Sequence, residues 1–287
     1  MLYRKAWDRL VVWKANGASS HALMLTGARQ IGKTTLVREF AGRYYGHFAE
    51  LNFLTDPNAS TIFDGPLDAK TIIANLTAYL RTPLEPGDTL VLLDEIQECP
   101  RARTAIKFLV EDGRFDYVET GSLLGVRVRD VPSYPVGFEE QYRMFPMDFE
   151  EFCLANGVQR STIDLLRTHF RSRTPVSVAV HETMMRLFRA YIVVGGMPEV
   201  VQRYVDTHDI AQTSQLQRDL LDLYRLDIAK YAQRSDRTKI RAIFDAIPSQ
   251  LDDRNRRFVL ADLSKNARQN RYASSFLWLA DAGAALP

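Results

Sequence analysis

The chain is poor in cysteine, with Cys99 and Cys153 alone among 287 residues. They stand far apart and lack metal-ligand spacing, which excludes a disulfide framework and a zinc site and fits a reducing compartment. Five histidines, His21, His47, His169, His181 and His208, form no pair of the HExxH kind, so no metalloprotease-type centre is expected. Nowhere does an apolar run reach the ~20 residues that cross a bilayer. At the N-terminus, MLYRKAWDRLVVWK, Asp8 and Arg9 interrupt the hydrophobic stretch that a secretory signal needs. A cytoplasmic protein without a membrane partner is the expectation. Charge of one sign is lacking too: 37 Lys+Arg against 35 Asp+Glu leave +2, too little to gather polyanions, so any nucleic-acid contact must be a local patch. The sequence holds neither an internal repeat nor a low-complexity stretch. What remains is an ordinary globular composition, 46% hydrophobic and 25% charged, in a chain long enough for two or three domains.

The first organised feature is LMLTGARQIGKTTLVREF, Leu23 to Phe40. His21 to Thr26 is short and apolar and suits a buried parallel strand. From Thr34 onward, Leu36, Val37 and Phe40 recur at helical spacing while Arg38 and Glu39 face water. The turn between them reads G-A-R-Q-I-G-K-T and satisfies G-x-x-x-x-G-K-[ST]. Gly27 and Gly32 permit backbone angles closed to other residues, so the main-chain N–H groups of Gly27, Ala28, Arg29, Gln30, Ile31 and Gly32 can curl around a phosphate. The helix N-terminus adds unsatisfied donors and partial positive charge. Lys33 is placed to reach the β- and γ-phosphates, Thr34 to ligate Mg²⁺, and Thr35 to help at the α-phosphate.

A second element completes the pattern. Thr89 to Ile96, TLVLLDEI, reads as a central strand that delivers Asp94 and Glu95 to its C-terminal end, where open α/β sheets place their ligands. Asp94 is the expected second Mg²⁺ residue, and Glu95 the general base that polarises an attacking water, with Lys33 the other catalytic candidate. Asp94 lacks the glycine three residues later that marks Ras-type GTPases, and no N-K-x-D occurs, so ATP is preferred over GTP. Two further strands fit the sheet, Phe48 to Phe53 and Phe115 to Ser122, the latter after a helix from about Arg101 to Glu111. The last strand ends in Thr120-Gly121-Ser122. Either hydroxyl could touch the γ-phosphate or the lytic water; Ser122 is taken as the nucleotide contact, with Thr120 left open.

These motifs resemble the prokaryotic AAA-type ATPases, in which a P-loop domain precedes a helical region, a winged-helix-like module and a C-terminal domain of uncharacterised function. The resemblance covers nearly the whole chain. It rests on GARQIGKTTLVREF, LNF at 51–53, LVLLDEIQ at 90–97, TGS at 120–122, FPMDFEEF at 145–152, VGGMPEVV at 194–201, IPSQLDDRNRRF at 247–258 and WLADAG at 278–283. It implies an Mg²⁺-dependent ATPase whose nucleotide state moves the C-terminal parts. There are two departures. The arginine that such proteins carry in a Leu-x-Gly-Arg segment is missing from SYPVGFEEQY at 133–142, and relatives run on past the position of Pro287 into a nuclease-like domain, so a truncated form is expected.

The expected fold is therefore α/β. A P-loop NTPase parallel sheet with flanking helices spans 1–147, an all-α lid or spacer 148–235, and a winged-helix-like module 236–287, with helices near 238–249, 260–266 and 270–282. Arg254, Arg256, Arg257, Lys265, Arg268 and Arg271 face one acid, Asp262, across 254–271. Such a patch could meet duplex DNA phosphates, with Gln269 or Asn270 at base edges. A solvated face that packs on protein is the plainer reading. A nucleotide-gated DNA-binding or defence-type regulator with slow hydrolysis is the alternative function, and a P-loop kinase a third. A homo-oligomer acting in trans would need an arginine from a neighbour, for which Arg101, Arg103, Arg127, Arg129 and Arg143 are the candidates.

Overall fold

The computed structural model describes residues 2–122, 135–252, 257–264 and 268–285. The chain divides into two compact units, Met1–Thr213 and Ser214–Pro287. Five parallel strands organise the first: β1 (Ala22–Gly27), β2 (His47–Asn52), β3 (Thr89–Asp94), β4 (Asp116–Ser122) and β5 (Glu139–Arg143), in the order β2-β3-β4-β1-β5. All six residues of β1 and of β3 are buried, as central strands covered on both faces must be. The edge strands β2 and β5 are only partly covered. The polar sequence of β5, Glu-Glu-Gln-Tyr-Arg, carries no apolar alternation, and the sequence reading does not anticipate it.

Helices cover both faces. In α1 (Lys5–Ala15), Ala6, Leu10 and Trp13 are buried, one stripe of a helix surface; Trp7 meets Phe40 of α2 (Lys33–Tyr44) edge to face, ring centres 5.6 Å apart. On the other face, Ala22 and Met24, Ala49 and Leu51, Val91 and Leu93, and Tyr117 line up at the two-residue strand period. They pack with Ile72, Ile73 and Leu76 of α3 (Ala69–Leu80) and with Ile106 and Leu109 of α4 (Pro100–Asp112). Burial of each such side chain contributes roughly 1.5–3 kcal/mol. Asp68 caps α3 by accepting from the Thr71 N–H, and α4 opens on Pro100 and closes on left-handed Gly113, start and stop signals that sequence chemistry favours.

Among the described residues of this unit four more helices follow: α5 (Phe149–Ala155), α6 (Arg160–Ser172), α7 (Val178–Val194) and α8 (Pro198–Thr207). Asp148 and Glu151 form a reciprocal capping box on α5. The FPMDFEEF and VGGMPEVV segments grip one another, because the Met147 N–H donates to Gly196 O at 2.7 Å. A Cβ on Gly196 would collide with the Met147 carbonyl, which explains glycine there. A long helix, α9 (Ile210–Tyr231), begins at the end of this unit.

The second unit packs α10 (Arg237–Asp252) and α11 (Gln269–Asp281) around Ile240, Ile243, Phe244 and Leu279. Buried Gln250 ties its chain together, donating to Asp262 at 2.7 Å and accepting from the Val259 N–H at 2.7 Å. A short 3-10 turn at Leu260–Asp262 stands where the middle helix is expected. Among the described residues of this unit there is no strand, so its observed character is helical. No helix among the described residues is long and apolar enough to cross a membrane.

Candidate functional site

β1 runs into the turn Gly27–Gly32, and three of its residues take positive φ: Gly27 at 155°, Gln30 at 62° and Gly32 at 85°. At Gly27 the chain is pressed from outside as well, for a Cβ there would stand 2.5 Å from the Met144 carbonyl oxygen. Gly32 precedes α2. Among the described residues no side chain caps the first-turn N–H groups, the arrangement that favours an anion. Ala28 and Ile31 are buried, Arg29 and Gly32 half-buried, and Gln30 and Thr35 exposed.

Lys33, the first residue of α2, is buried and turned back into the loop, where its Nζ donates to Gly27 O at 3.1 Å and Ala28 O at 2.8 Å. Burial lowers its pKa to about 8, opposed by the charges of Glu95 and Asp94 and assisted by Arg29. Next to it, the Thr34 hydroxyl donates to Asp94 Oδ1 at 2.9 Å.

Asp94 is where three strands meet. It is buried at the end of β3 and accepts from Thr34, from Thr120 of β4 at the same oxygen, and from Asn52 of β2 at Oδ2, 2.7 Å. Parallel register brings them level: Asn52 pairs with Asp94, and Leu93 with Glu119 just before Thr120. Of the two hydroxyls at the end of β4, Thr120 is the one on Asp94, while Ser122 lies beside Gly27 in register. Asn52 stands in the LNF segment at 51–53, but the sequence reading gives it no role at the site. Its orientation is fixed, because its Oδ1 accepts from the Leu54 and Thr55 N–H groups at 3.1 and 2.9 Å, and the available signal was a polar residue closing an otherwise alternating strand.

Glu95 follows in the left-handed conformation, φ 55° and ψ 47°, which costs a residue with a side chain about 1–2 kcal/mol. Its carboxylate accepts from the Gln97 amide. Thus Lys33, Thr34, Asp94, Thr120 and Asn52 form one cluster, with Glu95 next to it along the chain.

Arg4 was also missed. It is buried ahead of α1, donates to Ile31 O of the loop and to Phe145 O, both at 2.6 Å, and pairs with buried Glu151 at 3.3 Å. Its partners lie 27, 141 and 147 residues away, so no local pattern announces it. A cavity of about 240 Å³ opens beside the loop between Leu2, Arg4, Gly32, Thr35, Glu39 and Pro198.

Among the arginines considered for action in trans, Arg101 donates to Phe63 O and Gly65 O at 2.7 and 2.6 Å. Arg103 is buried against Glu139 at 3.2 Å, and Arg143 lies over the Phe145 ring. Arg127 and Arg129 fall outside the described residues, as do Arg254, Arg256 and Lys265. Near Arg103, Glu119 is fully buried. Burial first, then the charge of Glu139, pushes its carboxyl well above the usual range, with Arg103 opposing. Burial likewise raises both thiols, Cys99 and Cys153.

A glycine loop on a helix N-terminus, a lysine at its head, and a threonine bonded to a strand-end aspartate with another strand between them are the parts of a P-loop NTPase fold. A family described as AAA domain matches residues 19–153, and a domain of unknown function (DUF8612) matches residues 185–286. The first part of the chain thus carries an AAA domain on a P-loop NTPase fold, and its C-terminal part a domain of unknown function. That second domain lies within the chain, across the stretch that the sequence reading divides between spacer and winged-helix-like module. In structure, the chain is similar to the Walker-type ATPase PABY2304 of Pyrococcus abyssi, at 14% identity and TM-score 0.51, covering 98% of this chain and 90% of that one. The Aeropyrum pernix ORC1 protein in complex with DNA matches at 15% identity and TM-score 0.42 over 99% and 84% of the two chains. AMPPCP-bound DnaA from Aquifex aeolicus matches at 12% identity and TM-score 0.41 over 98% and 89%. No curated protein matches the sequence.

Proposed function

We propose that the chain binds ATP with Mg²⁺ and hydrolyses it to ADP and phosphate, and that nucleotide state sets the position of its C-terminal helical parts. The observation that carries this reading is the Thr34–Asp94 contact beside the open N-terminus of α2. In this reading Gly27, Ala28, Arg29, Gln30, Ile31, Gly32, Lys33, Thr34 and Thr35 hold the phosphates, with Ser122 at their edge. Lys33 exchanges two carbonyl partners for phosphate oxygens, and the anion restores the ammonium charge that burial disfavours. A hydroxyl and a carboxylate 2.9 Å apart fit Mg²⁺, a hard cation that takes oxygen donors. Bound there with the phosphates, it would offset their charge as the terminal bond breaks. Glu95 accepts the proton of the attacking water, whose oxygen bonds to the terminal phosphorus while ADP leaves with the electron pair.

Coupling has support in the cavity beside the loop: Gly32 and Thr35 share its wall with Pro198 of α8. A nucleotide at α2 would thus border the helical region directly. The functional division we adopt is an ATPase domain over 1–147, a helical lid over 148–235 and a winged-helix-like module over 236–287, in a cytoplasmic protein.

Calorimetric titration of the purified chain with ATP and Mg²⁺ tests the assignment. Binding is expected for the wild type and its loss for Lys33→Ala; unchanged affinity in the variant would remove the loop from the reading.

A second reading, a nucleotide-gated regulator that binds duplex DNA through 254–271, has one observation in its favour. Arg257, Arg268, Gln269, Asn270 and Arg271 are all exposed, four of them at the start of α11. Titration with duplex DNA at two salt concentrations decides it, because phosphate contacts make affinity fall steeply with salt. Turnover measured over a range of protein concentrations tests whether a homo-oligomer is the active form.

A further inference from the structure

We infer that Gln97 is a positioning residue for hydrolysis, holding Glu95 with one arm of its amide and the attacking water with the other. The inference rests on the ATPase reading above and deepens it. After Asp94 the chain does not continue as a strand. Glu95 turns left-handed, Ile96 is fully buried in the core, and the Glu98 N–H closes a tight turn on Glu95 O at 2.9 Å. This fold-back brings the side chain of Gln97 onto that of Glu95, where Nε2 donates to Oε2.

The amide can sit only this way round, since its reverse would set two oxygens against each other. Its Oε1 is then buried, and among the described residues it has no hydrogen-bond partner. A buried acceptor without a donor is costly, so the arrangement calls for a group that brings one. Glu95 keeps lone pairs of its own for a further donor. Two acceptors, one anionic and one neutral, thus stand together at the end of the strand that carries Asp94. The molecule that suits them has two O–H donors and a lone pair left over for attack, and water has both. Gln97 makes two contributions: it fixes the rotamer of the base, and it accepts a hydrogen bond from the water's second O–H so that the remaining lone pair is directed. Neither touches the phosphates, so binding of nucleotide should not depend on it.

The test uses the full chain and four forms of it: wild type, Gln97→Met, Glu95→Gln and the double variant. Methionine keeps the unbranched shape of Gln97 and removes both hydrogen bonds. ATP affinity and KM are expected to stay within about twofold in Gln97→Met, while kcat falls on the order of 10- to 10²-fold. In the Glu95→Gln background the same substitution should cost clearly less than in the wild type, because the base it orients is already gone and only its hold on the water remains. An unchanged kcat in Gln97→Met, or an equal loss in both backgrounds, overturns the inference. If Gln97→Met melts well below the wild type, Gln97→Asn replaces it, with the amide retained but too short to reach. A wild type that binds ATP and never turns it over would sink the hydrolysis reading, and this inference with it; turnover in the wild type leaves the two separable.

Discussion

Thr34 Oγ1 donates to Asp94 Oδ1 across 2.9 Å, although 60 residues separate the two in sequence. If that pair is where Mg²⁺ is held, Asp94→Asn should retain the side chain's shape and its acceptor toward Thr34 and Thr120, while it loses the anionic ligand and sets its own NH2 against the Asn52 amide. Thermal melts with ATP in the presence and absence of Mg²⁺ make the comparison. The wild type is expected to gain stability from the metal beyond that from ATP alone, and Asp94→Asn to show no such increment. An equal increment in both proteins would move the metal elsewhere.

Glu95→Gln should separate binding from chemistry. Its affinity for ATP is expected to match the wild type, with turnover slowed by ~10²-fold or more, the scale of a lost general base. Steady-state phosphate release, checked against titration of the same samples, reads both. Full activity in the variant would assign the proton to another group.

Arg4 fastens the loop from below through Ile31 O and Phe145 O. Arg4→Met keeps bulk in the site but strands Glu151, which is itself buried. A buried ion pair broken on one side costs about 3–5 kcal/mol, partly relieved here because Glu151 also accepts from the Lys5 and Asp148 N–H groups. A clear drop in denaturant midpoint is expected, together with weaker ATP binding. Arg4→Met with unaltered stability would show that the clamp is dispensable.

The buried carboxyl of Glu119 makes a pH prediction. Its pKa in the folded chain is raised by burial and by Glu139, so between the ordinary Glu value of about 4.3 and that raised value the native state holds a proton the unfolded chain has released. Stability from this group is therefore fully present at low pH and is lost as pH rises, with a slope of at most about 1.4 kcal/mol per pH unit. Glu119→Gln, neutral throughout, should flatten the melting temperature between about pH 5 and 8 and be the more stable protein at pH 8. An identical slope in the variant would place the proton on another residue.

What the sequence makes legible is what short-range chemistry writes. The apolar run, two glycines, Lys33 and Thr34 announce strand, turn and helix because each residue serves its own local geometry, and the four apolar residues before Asp94 mark a central strand. Proline, glycine and capping residues likewise bound α3 and α4. Asn52, Thr120 and Arg4 are different, because their roles depend on register between strands or on partners 27 to 147 residues away. Nothing in the residues near Arg4 distinguishes it from a surface arginine. β5 was hidden for another reason: an edge strand paired on one side needs no apolar alternation, and its glutamates answer to Arg9 and Arg103 instead.

The strand order has one more result. β4 lies between β1 and β3, so loop and acid come within reach only after β4, far downstream, has inserted between strands made earlier. Nascent or truncated chains ending before that strand cannot present the site, however intact their glycine loop. A nucleotide seated across the finished seam would act as a staple on the whole sheet, stabilising it by a free energy that grows with the logarithm of ligand concentration. Native-state proteolysis with increasing ATP would read that staple directly.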